Sequence, residues 1–515
     1  MFVRFIRPPY TSGYNTTDVR EDAIITYFLG YLNSIRFDSY DVVDFHLSRP
    51  GSFDEIVERS VSHYVIAVRE TGACFHYAIR IAAELKRRSN AEVLFYGQTG
   101  RISAVSNFQR LNIPAILHDE VELARALKLS PSGAQFTSGL KAQSYFPHLR
   151  LPQNLRSRRK ASLETSRGCH FKCKFCFINH GQNYKERWSV RDPDSIIADI
   201  NHYSSLDIPY IVFHDSEFIG ADADAYPRHR TLLEKIADET PQARFMMYAR
   251  GDTLARFREF DLLVAAGLRH AFIGAESLSD GDLRALKKGT RASVIMDSIA
   301  ALSGRGVSLN ISFMLFNRGT TIDSLRENIG NLRALAASDV RMLGMPNFLF
   351  SFETDWDAGD LNPLSDRTYL RWLVWKRTQP SVGVVFDSKF EPLAEICRLA
   401  HYELVKKITA LNIARPRYNE SGTKLIESWF EGLWCFCIEI LETFVDEFER
   451  GDLTLDRLPR AIEMLYQMIF EYYTTLPSAL QALETYDEHA RLIASTEEPV
   501  GVEDHGWDEL IPMAS

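Results

Sequence analysis

The chain is poor in cysteine, with seven in 515 residues. An odd, low and unevenly placed count is not a disulfide framework, and three of the seven fall within eight positions. A reducing, cytoplasmic setting fits that usage. No apolar run approaches the ~18 residues that a membrane span needs. The first ten residues, MFVRFIRPPY, carry charges and prolines where a secretory leader would keep an apolar stretch. Positive charge is not in excess either: 59 Lys and Arg face 68 Asp and Glu, a net −9, the reverse of a nucleic-acid binder's basic balance. Neither a membrane nor a nucleic acid is therefore expected as a partner. There is no internal repeat and no long low-complexity tract. The chain is 45% hydrophobic and 25% charged, ordinary for a globular enzyme, and is long enough for about three domains.

Three regions are visible. In residues 1–135 short apolar runs (FVRFI, YDVVDFHL, HYVIAVRE, AEVLFYG, PAILHD) alternate with helical stretches such as RIAAELKRRS and VELARALKL. Strands buried on both faces read as continuous apolar runs, and βα alternation implies a parallel sheet covered by helices. The expectation is an α/β fold opening with a Rossmann-like or flavodoxin-like doubly wound sheet. Residues 136–160, Ser- and Gly-containing and then basic (NLRSRRK), read as a solvated linker. Residues 161–362 alternate again. ASLETSR, YIVFHDS, RFMMYAR, HAFIGAE, SLNISFML and VRMLGMPN are strand candidates, which predicts a (β/α) barrel with its chemistry on the loops after the strand C-terminal ends. Residues 363–490 have apolar positions at helical spacing and read as a helical C-terminal cap; 491–515 form a polar tail.

The decisive segment is ETSRGCHFKCKFCFI, in which Cys169, Cys173 and Cys176 make a CxxxCxxC loop with Phe175 before the last cysteine. Three thiolates on a short loop can hold three corners of a cubane [4Fe–4S] cluster. Tetrahedral zinc would need a fourth ligand, which His170 or His180 could supply. A disulfide would leave one thiol unpaired.

On these residues the chain resembles the radical S-adenosylmethionine (SAM) superfamily. The resemblance implies that the iron without a protein ligand is chelated by the amino and carboxylate groups of SAM. An electron from the cluster then breaks the S–C5′ bond, and the 5′-deoxyadenosyl radical takes a hydrogen from a small-molecule substrate. It also implies an external electron donor such as flavodoxin or ferredoxin. Carried along the chain, it puts Asp215 and Glu217, in FHDSEF, near the SAM amino group, with Ser216 where a second acid is frequent. It puts Arg250, in YARGDTL, opposite the SAM carboxylate, a pairing suited to a guanidinium fork. Glu276, in FIGAES, would approach the SAM ribose or methionine moiety, while Lys287 and Lys288 of LKKGT read as solvated. The turn Phe316-Asn317-Arg318-Gly319-Thr320 departs from the family's GFPGE-like turn. No residue that acts directly on substrate is identifiable.

A Rossmann-like domain ahead of such a barrel resembles the cobalamin-dependent radical SAM enzymes, and the resemblance implies a corrin between that domain and the barrel. The match is looser. Tyr96-Gly97-Gln98-Thr99-Gly100-Arg101 stands where paired glycines are usual, Glu70-Thr71-Gly72 replaces a Ser/Thr-rich turn, and no DxHxxG is present; His118-Asp119-Glu120 fits the usual acidic position. Cobalamin-dependent methylation of an unactivated carbon in a natural-product intermediate is the expectation. The alternative is a radical dehydratase, epimerase or cyclase with a degenerate domain. A non-enzymatic iron–sulfur or metal-binding module would require a fourth protein ligand. His63, His76 and His118 read as ordinary polar residues. Cys74, Cys397, Cys435 and Cys437 read as core cysteines, Trp429, Trp434, Phe436 and Tyr472 as helical core, and the C-terminal helices as a lid over the barrel mouth.

Overall fold

The computed structural model describes residues 1–8, 19–45, 47, 52–67, 72–97, 116–117, 119–130, 133, 135–137, 139–151, 156, 159–173, 175–176, 188–220, 225–338, 340, 386–414 and 420–476. The first sheet contains β1 (Val3–Arg7), β2 (Tyr40–Asp44), β3 (His63–Ala67), β4 (Glu92–Tyr96) and β5 (Ile116–Leu117). All pairs are parallel and the order is β2-β1-β3-β4-β5, the flavodoxin-like arrangement. Alternate residues face opposite sides. Val3, Phe5, Val65 and Leu94 pack in the core shared with α1 (Ala23–Ser34), whereas Ile6, Tyr64, Ile66 and Phe95 pack with α2 (Gly72–Arg88). A short α3 (Glu120–Ala126) lies on the α1 side.

Helix α1 is buried all round, from Ala23 to Leu32, because the segment expected to be a solvated linker covers it. Leu140, Ala142, Tyr145, Phe146 and Leu151 are core residues, so the linker reading is corrected over 139–151. The approach is close enough that a Cβ on Gly30 would sit 1.7 Å from the Lys141 carbonyl oxygen. Glu21 closes the joint: its carboxylate accepts from the backbone N–H groups of Tyr145 and Phe146, from the Ser144 hydroxyl at 3.0 Å and from the Tyr203 hydroxyl at 2.9 Å.

The second sheet holds β6 (Ala161–Leu163), β9 (Tyr210–Phe213), β10 (Arg244–Arg250), β11 (Leu268–Glu276) and β12 (Ser308–Phe313), parallel and adjacent in chain order, as a (β/α) barrel wall requires. ASLETSR is not one strand: Glu164 and Thr165 break it, and β7 (Ser166–Gly168) pairs antiparallel with β8 (Trp188–Val190). The sixth candidate, VRMLGMPN, lies outside the described residues apart from Val340. Helices α4 (Pro193–Ser205), α5 (Ala225–Glu239), α6 (Gly251–Phe257), α7 (Phe260–Ala265), α8 (Asp280–Ala285), α9 (Ala292–Ser303) and α10 (Ile322–Ala337) fill the connections.

The C-terminal helices are α11 (Glu391–Ala414), α12 (Glu420–Glu449) and α13 (Leu458–Tyr473). The aromatic stripe is core, with Phe436 stacked on Tyr472 at 4.1 Å and Trp429 5.1 Å from the same ring. The helices dock on the flank of the barrel: α12 runs along α10, with Arg326 paired to Asp446 and Arg333 to Glu442. The expected lid over the mouth is thus not what these described helices form. Among the described residues no helix is long and apolar enough to cross a membrane.

Candidate metal and cofactor centre

Strand β7 ends at Gly168, whose φ of +86° turns the chain where a side chain would be strained. Cys169 follows, and a hydrogen bond from the Cys176 N–H to the Cys173 carbonyl (3.1 Å) folds the loop back. All three cysteines line one cavity of about 290 Å³, together with Phe175. That is room for roughly ten waters at about 30 Å³ each, enough for a small inorganic cluster and part of a ligand. The rest of the wall comes from the C-terminal ends of β10, β11 and β12 (Arg250, Glu276, Ser312) and from Lys288, where a (β/α) array places its chemistry. Among the described residues no three His, Cys, Asp or Glu side chains converge as they would on a single ion. His170 packs tilted against Trp188, ring centroids 4.5 Å apart, and does not line the cavity; His180 is outside the described residues. Burial pushes the Cys169 thiol up to about 11, and a bound metal would reverse that by holding the thiolate.

Arg250 is the wall's most fully engaged cation. Its Nη1 donates to Cys173 Sγ at 3.0 Å, Nε to Asp252 Oδ1 at 2.8 Å and Nη2 to the Lys288 carbonyl at 2.5 Å. Its guanidinium lies 3.8 Å from the Phe171 ring centroid. The resemblance puts Arg250 opposite the SAM carboxylate, with a structural pair to Asp252 as the alternative; here the guanidinium makes that pair and also bonds Cys173 and the Lys288 carbonyl.

Asp215 and Glu217 do not line the cavity. Asp215 accepts from the Thr165 N–H (3.0 Å), the Thr165 hydroxyl (2.6 Å) and the Ser166 hydroxyl (2.6 Å), so it clamps the turn into β7. Glu217 accepts from the Arg250 N–H and the Thr253 hydroxyl, both at 2.8 Å, and so fixes the start of α6. The physical reason is burial. A carboxylate out of water needs donors, and these two take the nearest backbone and hydroxyl groups. Burial still raises Asp215 to about 6 and Glu217 to about 7. Ser216, between them, is the residue that faces the cavity.

Glu276 stands at φ +67°, rare for a residue with a Cβ, at the point where β11 slips register against β12. Its carboxylate meets Lys288 Nζ at 3.0 Å. Lys288 is only 4% exposed, so the solvated reading is wrong for it and right for Lys287. Gly274 makes the space: a Cβ there would stand 3.1 Å from Glu276 Oε1 and 3.3 Å from Lys288 Nζ. The cavity thus carries an opposed ion pair across from three thiols. Those donors suit an iron–sulfur cluster and a small zwitterion.

At the cobalamin-type edge of the first sheet, the described strand-end side chains are engaged within the protein. Arg7, at the end of β1, pairs with Asp44 (3.1 Å) and Asp22 (3.8 Å). Tyr96, at the end of β4, is buried against Phe28. Glu120 is paired across the joint to Arg167 of β7 at 2.8 Å. His63 sits at the opposite end of its strand, 3.5 Å from Glu92. These residues do not themselves build a corrin cradle. Residues 69–71, 98–101 and His118, and the side chain of His76, lie outside those described. Of the remaining cysteines, Cys397 and Cys437 are buried and Cys435 is exposed, against expectation; the side chain of Cys74 is outside the described residues.

The model of the radical SAM superfamily matches residues 163–330. Over 187 residues the chain is 28% identical to 4'-phospho-dehydrooxetanocin synthase of Priestia megaterium, covering 33% of this chain and 25% of that protein. Over 157 residues it is 26% identical to hopanoid C-3 methylase of Methylococcus capsulatus, covering 30% and 28%. The match thus spans about a quarter of the length of each relative. Among solved structures, the cobalamin-dependent S-adenosylmethionine radical enzyme OxsB, with aqua-cobalamin and S-adenosylmethionine bound, superposes with a TM-score of 0.65. The identity is 15%, over 99% of this chain and 82% of that one. The radical S-adenosylmethionine methyltransferase TsrM from Kitasatospora setae gives a TM-score of 0.50 at 18% identity, over 65% and 71%. At such identities the likeness is one of fold.

Proposed function

Residues 163–330 form a radical SAM domain, and from that premise we propose that the protein is an enzyme that takes a hydrogen atom from a small-molecule substrate. Once bound, a [4Fe–4S] cluster with SAM supplies the chemistry, reductive cleavage of the S–C5′ bond to a 5′-deoxyadenosyl radical. Cys169, Cys173 and Cys176 would hold the cluster by three corners. Arg250 donates a charge-assisted hydrogen bond to one of those sulfurs, which stabilises the thiolate and restrains the loop. Glu276 and Lys288 face the same space with charges complementary to the ammonium and carboxylate of an amino acid. Phe171 and Phe175 line the same cavity beside the thiols. The reading is carried by one observation: three cysteines and an oppositely charged pair, its lysine buried and its glutamate partly so, share a single cavity at the ends of parallel strands. Its test is anaerobic reconstitution with iron and sulfide, reduction by dithionite and addition of SAM. 5′-Deoxyadenosine should accumulate by mass spectrometry and be lost on Cys173→Ala; none from the wild type would overturn the reading.

The finer reading is cobalamin-dependent methylation of an unactivated carbon. The flavodoxin-like strand order and the fold shared with OxsB over nearly the whole chain support it. Tyr96 at a position suited to glycine, and the Arg7–Asp44–Asp22 cluster, favour instead a corrin-free dehydratase, epimerase or cyclase. A corrin chromophore on purified protein and a product heavier by one methylene unit mark the first reading. Loss of water or an unchanged mass marks the second.

A further inference from the structure

Arginines on the exposed faces of this acidic chain commonly have acidic partners: Arg230 with Glu234 and Glu259, Arg305 with Asp261, Arg326 with Asp446 and Glu449, Arg450 with Glu447. One stretch gathers three exposed cations that have no such partner among the described residues. Arg284, Lys287 and Arg291 line a cleft of about 580 Å³ on α8 and the turn that follows it. All three are exposed, and among the described residues none has an ion pair or a side-chain hydrogen bond. The cleft's single acid, Asp280, accepts the Ala292 N–H at 2.8 Å and bridges none of them. Three uncompensated positive charges within one turn and a short loop repel one another, and an acidic surface would relieve that repulsion.

The position of the cleft gives the partner its role. Lys287 precedes Lys288, whose ammonium stands in the cavity with the three cysteines, and the Lys288 carbonyl accepts from Arg250, the residue bonded to Cys173. Lys287 and Gly289 thus line the outer cleft while Lys288 between them lines the thiol-bearing cavity. A protein seated on the cleft is separated from the cavity by that segment. The proposed reaction consumes one electron for every SAM cleaved, and no side chain of the site supplies it.

We propose that Arg284, Lys287 and Arg291 form the docking surface for an acidic one-electron carrier protein, delivering its electron through the Lys287–Lys288 wall. The inference rests on the radical SAM reading. In the transfer, an anionic flavin hydroquinone loses one electron and becomes the neutral semiquinone. The centre held by Cys169, Cys173 and Cys176 gains that electron, and no proton need move.

The test uses reconstituted full-length protein and an acidic flavodoxin. Binding of the oxidised flavodoxin, measured by fluorescence titration, should weaken with salt and fall about tenfold or more on R284E/K287E/R291E. The neutral triple variant with Gln at the three positions should fall between, which separates a charge effect from misfolding. Iron content and dithionite-driven 5′-deoxyadenosine should match the wild type in both variants. Equal flavodoxin affinity in wild type and charge-reversed protein overturns the proposal. So does a cleft that protects inorganic phosphate from exchange yet leaves flavodoxin binding unaltered by the substitutions. A wild type that binds flavodoxin at this surface but makes no 5′-deoxyadenosine with dithionite would instead count against the radical SAM reading and leave the docking surface standing.

Discussion

The Glu276–Lys288 pair is where this site departs most from what its residue types announce. A buried ion pair is a weak source of stability, since desolvation offsets most of the Coulomb attraction, and removing one partner strands the other. A pair kept in a cavity on a strained backbone is better explained by what enters the cavity. Lys288→Met should raise the Kd for SAM by at least about tenfold, with iron content retained; equilibrium dialysis of the reconstituted protein against labelled SAM measures it. An unchanged Kd would reduce the pair to a structural element. The cysteine loop was legible in the sequence because its spacing is local and each thiol has one obvious use. Lys288 was not. In Lys287-Lys288-Gly289-Thr290 two adjacent lysines look alike, and only the register slip at Gly274 and the turn after α8 send one inward. Asp215 and Glu217 were singled out for their charge, but burial gives them to Thr165, Ser166, Arg250 and Thr253. They are positioning residues, each one residue removed from the wall.

Among the elements, the joint between α1 and residues 139–151 has the clearest thermodynamic signature. Burial lifts the Glu21 carboxyl from 4.5 to about 8, against the opposing effect of its hydrogen bonds from Tyr203, Ser144, Phe146 and Tyr145. The folded chain therefore keeps a proton there that the unfolded chain releases. Stability falls as pH rises between those two values; the contribution is complete below the first and gone above the second. Thermal unfolding from about pH 5 to about pH 9 should show Tm dropping more steeply in wild type than in Glu21→Gln. Parallel curves would contradict the assignment. Asp215 and Glu217 titrate in the same sense, so the difference between the two proteins is the quantity to read. The strands were legible as apolar runs, and the helices as periodic ones. The joint was misread because residues 136–160, Ser- and Gly-containing and then basic, look like a solvated connector. The residues that bury it, Leu140, Tyr145 and Phe146, are spaced too irregularly to show any period.

For the molecule as a whole, the order of parts follows from alternation alone: a doubly wound sheet, a (β/α) array, then helices. How they meet does not. The first sheet is tied to the barrel through Glu120–Arg167 and Glu21–Tyr203, pairs 47 and 182 residues apart in sequence, and no local pattern encodes such distances. The C-terminal helices take the flank of α10 because their apolar stripe is used among themselves. In this architecture the three thiols, Arg250 and the Glu276–Lys288 pair come from separate βα units and meet at one mouth, and the account stands or falls there. The most direct measurement is electron paramagnetic resonance of the reconstituted, dithionite-reduced protein titrated with SAM. A cluster held by three cysteines predicts a spectrum that SAM shifts to a new set of g values, with the shift lost in Lys288→Met at the same SAM concentration. A reduced-cluster spectrum indifferent to SAM at saturating concentration would contradict it.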